Sequence, residues 1–70
     1  MNSISEKIQN YSYKVTYSSE DEAYIAECLE LGITAHGESQ EKAITEIKEA
    51  TRVHLLMLEE DKEEMPMPIS

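Results

Sequence analysis

From Ser39 onward the apolar residues return at helical spacing. Ala43, Ile44, Ile47, Ala50, Thr51, His54, Leu55 and Leu58 follow the i, i+3, i+4, i+7 rule. That spacing predicts one long amphipathic helix, and a helix with a single apolar stripe needs a second layer to lie on. With 70 residues the chain makes one domain, 1–70. A domain of that size buries only roughly 60% of the surface its unfolded form exposes, so a partner chain is expected to contribute to stability.

The second layer is written upstream. In SYKVTYS, Tyr11, Tyr13, Val15 and Tyr17 fall on one side and Ser12, Lys14 and Thr16 on the other, which is the period of a half-buried strand. SSEDE supplies turn residues. EAYIAECLEL reads as a second strand, with Ile25 and Leu29 on one face and Tyr24, Ala26 and Cys28 on the other, a pattern suited to the middle of a sheet. Gly32 punctuates, and ITAHG gives a short third strand. Short connections between consecutive elements predict an α+β fold: a three-stranded antiparallel meander with one long helix packed on one face. Ile4 and Ile8 share a face, which allows a turn or two of helix over Ser3 to Gln9. Lys42 is expected to pair with Glu46 on the solvent side. The helix should fade through Glu59 to Glu64, where acids oppose its negative end, and Pro66 should stop it. Residues 59–70 then form an acidic, proline-bearing tail.

Composition excludes several functions. Fifteen acids against six bases give a net charge of -9, which repels phosphate backbones, so direct nucleic-acid binding is not expected. The same field suits a basic protein partner. A single cysteine, Cys28, rules out an intrachain disulfide, and no Cys/His spacing offers a zinc site. The N-terminus has no apolar h-region, and no apolar run approaches the ~20 residues of a membrane span. The expected location is the cytoplasm, with no cofactor.

ITAHGESQEK, Ile33 to Lys42, is the stretch richest in chemistry. His36 is the only place to argue a catalytic base, and Glu38 and Glu41 are near in sequence. A joint explains the same residues without chemistry: His36 ends a strand, Gly37 permits a backbone turn closed to other residues, and Ser39 caps the helix. Neither His54 on the helix stripe nor Cys28 in the strand core has the neighbours a ligand or nucleophile needs. VHLLML, by contrast, puts apolar groups nearly all round one helical turn, more than a sheet can cover. Val53, Leu56 and Met57 are therefore read as a protein interface, in a homodimer or higher oligomer.

The order of elements and several phrases resemble the HicB-like antitoxin family, over roughly Tyr11 to Pro68. The carriers are the aromatic strand YSYKVTY, the acidic turn before AYIAEC, the glycine of ELGITAHG, the late MPMP, and the joint that leads into the helix with Gly37, Ser39, Ala43, Ile47 and Ala50. The resemblance implies a partial RNase H-like domain and a non-enzymatic role: binding and neutralising a small basic HicA-type mRNA interferase. The chain departs from the family in having Asp21 and Glu22 where glycine usually forms the first hairpin, Leu31 where proline is common, and Lys42 where a glutamate would complete a capping box. It ends at Ser70, short of the final strand and DNA-binding region of many members, so operator binding is not expected and a sheet edge is expected to stand open. Two other readings belong to different classes. One is a stand-alone oligomeric domain that binds a small ligand or an unrelated protein. The other is a residual RNase H-like hydrolase, which would need clustered metal-binding carboxylates that the sequence does not single out.

Overall fold

The computed structural model describes residues 4–67 and residue 69. The chain runs α1 (Ile4–Asn10), β1 (Tyr13–Ser18), β2 (Ala23–Cys28), β3 (Ile33–Gly37) and α2 (Gln40–Glu60). The strands form an antiparallel sheet in the order β1-β2-β3, with β2 central. Tyr13 faces Cys28 across the first pair, and Cys28 faces Ile33 across the second. The meander and its covering helix are thus as the alternation predicts. The helix expected over Ser3 to Gln9 is present as α1; Ser3 itself lies outside the described residues.

Side-chain alternation puts Tyr13, Val15, Ala26, Cys28, Ile33 and Ala35 on the face turned to α2. The residues fully buried along α2 are Ala43, Ile47, Thr51 and Leu55, one every four positions, flanked by half-buried Ile44, Ala50, His54 and Leu58. Every member of the predicted stripe is therefore covered. Thr51 is its one polar member at the centre. Its hydroxyl makes no full hydrogen bond, although it lies close enough to oppose the rise in the Tyr13 phenol's pKa. Burial first, then the nearby Cys28 and Glu30, push that phenol up to about 12.

A length mismatch governs the rest. A 21-residue helix spans about 31 Å, whereas a six-residue strand spans about 20 Å. The last turns of α2 therefore overhang the sheet, and other segments cover them. Helix α1 packs against α2, bringing in Ile4 and Ile8. Buried Tyr11 and half-buried Met65 join the same cluster as Leu55 and Leu58.

Three expectations change at this end. Tyr11 is not part of β1. It follows α1, with its N–H bonded to the Lys7 carbonyl, and its hydroxyl donates to the carbonyl of Pro66 at 2.7 Å. Strand β2 stops at Cys28, which leaves Leu29 43% exposed. Residues after the helix do not trail away: Met65 and Pro66 are half-buried, and the Glu30 carboxylate accepts both the Ser12 N–H (2.8 and 2.9 Å) and the Ile69 N–H (3.0 Å). Glu30 thus clasps the β1 entry and the C-terminal segment together. Burial raises its pKa, but the backbone N–H groups of Ile69 and Ser12 outweigh that and hold the carboxyl below its ordinary 4.5.

Nor does Pro66 end the helix. Asp61 is the C-cap and Lys62 adopts φ 59, with Glu63 N–H bonded to Leu58 C=O and Lys62 N–H to Glu59 C=O. That pairing is a Schellman motif, which prefers glycine where Lys62 stands. The first hairpin shows the same substitution: Glu22 takes φ 50 where glycine would be unstrained. Ser18 and Asp21 bracket that turn, the Asp21 N–H donating to the Ser18 hydroxyl.

Glu22→Gly and Lys62→Gly should each stabilise the domain by about 0.5–1 kcal/mol, read as a rise in thermal midpoint; a fall at both sites would remove the strain argument. For Glu30, a depressed pKa means that its stabilisation is complete above pH 4.5 and is lost as pH falls through the lower folded value. Acid titration of Glu30→Gln should lack that component of the unfolding curve.

Candidate functional site: the outward face of helix α2

The chemically rich joint lies at the end of the sheet opposite the overhang. Ser39 is the N-cap, at φ -139 and ψ 167, and its hydroxyl accepts the Lys42 N–H at 3.1 Å. Lys42 reaches back to Glu38 at 3.2 Å, not forward to Glu46. Gly37 is needed, but not for a positive φ. It is the last residue of β3, and a Cβ there would sit 2.7 Å from the Ala43 Cα and 2.7 Å from the Lys42 carbonyl carbon. The constraint is close backbone approach of helix to strand. Gly32 is the glycine with the left-handed conformation, φ 68, and its N–H closes onto the Cys28 carbonyl.

His36 lies opposite Ile25 on the sheet face away from α2 and is exposed. A cleft of about 640 Å³ opens beside it, lined by Glu38, Glu41, Lys42, Thr45 and Glu46 among others. The salt bridge there is between side chains 65% and 88% exposed. Among the described residues no hydrogen bond to a carboxylate orients the His36 imidazole. Among the described residues no group of three or more His, Cys, Asp or Glu is placed to hold a metal. Cys28 is buried, with its thiol 3.9 Å from a Glu30 oxygen.

The overhanging helix carries the more distinctive surface. Leu55 and Leu58 turn inward under α1, Tyr11 and Met65, while Val53, Leu56 and Met57 remain 54%, 47% and 57% exposed. Their spacing, i, i+3 and i+4, places them on one face. Glu49 and Glu60 continue that face one turn before and one turn after, and Arg52 stands beside Leu56. The result is an exposed apolar centre with a mainly acidic rim.

No family model, curated protein or solved structure matches this chain. The HicB-like resemblance rests on the chain's own residues. No helix among the described residues is long and apolar enough to cross a membrane.

Sequence reasoning finds the patch residues because VHLLML is apolar on too many sides. It misses Tyr11 and Glu30 as clasps, since their partners lie 55, 18 and 39 positions away. Gly37→Ala should cost about 2–3 kcal/mol by forcing helix from strand, whereas His36→Ala should leave stability within about 0.5 kcal/mol. Chemical denaturation of the two variants checks both; equal effects would refute the close-approach account.

Proposed function

We propose that this domain is a non-enzymatic protein-interaction module that works as HicB-like antitoxins do, holding a small basic HicA-type mRNA interferase inactive by direct contact. The observation that carries the reading is the exposed triad Val53, Leu56 and Met57 on a chain of net charge -9. Apolar side chains at the centre supply burial, at about 25 cal/mol per Å² of apolar surface removed from water. Carboxylates at the rim steer a basic partner and reject acidic ones. The β-β-β-α order agrees with the fold that the resemblance implies. Inhibition by this route needs no catalytic residue and no cofactor, only coverage of the interferase's RNA-binding surface.

An interferase of this type encoded beside the chain should co-purify with it and lose RNA cleavage. Leu56→Glu together with Met57→Glu should weaken the complex by at least 2 kcal/mol, as expected of centrally placed anchors, while far-UV circular dichroism stays unchanged because both side chains are already exposed. A complex indifferent to both substitutions, or no complex at all, would overturn the proposal.

A further inference from the structure

We infer that the free edge of β1 pairs with β1 of a second copy of this chain, antiparallel about a two-fold axis at Val15, to give a continuous six-stranded sheet. The register decides which groups are free. The Leu29 N–H bonds to the Ser12 carbonyl, so Ser12 and Leu29 occupy a hydrogen-bonded position of the ladder. Such positions alternate with non-bonded ones. Lys14, Thr16 and Ser18 therefore point their backbone groups toward β2, and Tyr13, Val15 and Tyr17 point theirs outward, where no strand lies among the described residues.

The side chains make the same edge adhesive. Because α2 lies mainly over β3 and β2, β1 is poorly covered on its helix face. Tyr17 is 58% exposed, and a cleft of about 360 Å³ runs between Val15 and Ile44. Two-fold pairing at Val15 sets Tyr13 beside Tyr17 of the second copy on that face and gives every outward N–H and C=O a partner.

Charge selects a second copy over other occupants. Lys7 to Ser19 contains no acid, the longest acid-free run in a chain with 15 acids. The strand itself offers a basic partner no carboxylate, the nearest being Glu27 across from Lys14 on β2 and Glu41 at the Val15 cleft, and two strongly acidic chains meet with least repulsion along such a strand. Lys14, on the opposite face, would guard a neutral edge against pairing. In this register, however, it meets Thr16 of the second copy rather than another lysine, and it penalises the slip that would set the two lysines opposite one another.

The pairing is independent of what covers the helix patch. Sedimentation of the full chain tests it with three exposed-face variants whose folding is checked by circular dichroism. Thr16→Lys should weaken the dimer about fivefold or more, because symmetry creates the like-charge pair twice. Thr16→Glu should tighten it, and Lys14→Glu added to Thr16→Lys should restore it. A parent chain that sediments as a monomer overturns the inference. So does a dimer equally affected by Thr16→Lys and Thr16→Glu, or one dissolved only by Leu56→Glu with Met57→Glu. Interferase binding does not enter these readouts, so this inference and the proposed function fail separately.

Discussion

The length of α2 relative to the sheet is the constraint on which the rest depends. Strands of five or six residues cannot underlie a helix of 21. The uncovered turns hold Leu55 and Leu58, which would lie in water without further cover. Helix α1, Tyr11 and the segment around Met65 supply that cover, so both ends of the chain serve one local need. The long axis of 39 Å against 23 and 16 Å reflects the same overhang.

The cover has to be held in place, and polar groups do it. Tyr11 and Glu30 each reach a distant backbone group, Tyr11 at Pro66 and Glu30 at Ser12 and Ile69. A carboxylate that accepts several N–H groups is worth more than a neutral acceptor would be, and it satisfies donors that no strand engages. In a core whose largest fully buried side chains are Ile47, Leu55, Thr51 and Cys28, such clasps matter more than in a larger domain.

What remains outside is set by subtraction. The sheet takes one stripe of α2, and α1 with the C-terminal segment takes another; Val53, Leu56 and Met57 belong to neither. The displacement of α2 toward β3 leaves β1 thinly covered, with its edge open. One surface is apolar within an acidic rim, and the other is built on a strand that carries no acid of its own. They lie on different elements, one on α2 and the other on β1.

Much of this was legible in the residues. Alternation in SYKVTYS and the stripe from Ala43 to Leu58 determine the meander and the covered face of the helix, because period-2 and period-3.6 patterns each admit one element. Ser39 as cap and the surplus apolar groups of VHLLML are equally local. The role of Gly37 was half legible: glycine marks a joint, but whether φ or close approach demands it depends on where Ala43 lies. Only the tertiary structure decided that Tyr11 leaves the strand, that Lys62 ends the helix ahead of Pro66, that Glu30 clasps the C-terminal segment, and which leucines of VHLLML are covered. The physical reason is range. Periodicity and capping act within a few residues, whereas these features depend on hydrogen bonds and contacts between segments that meet only once the helix has overrun its sheet.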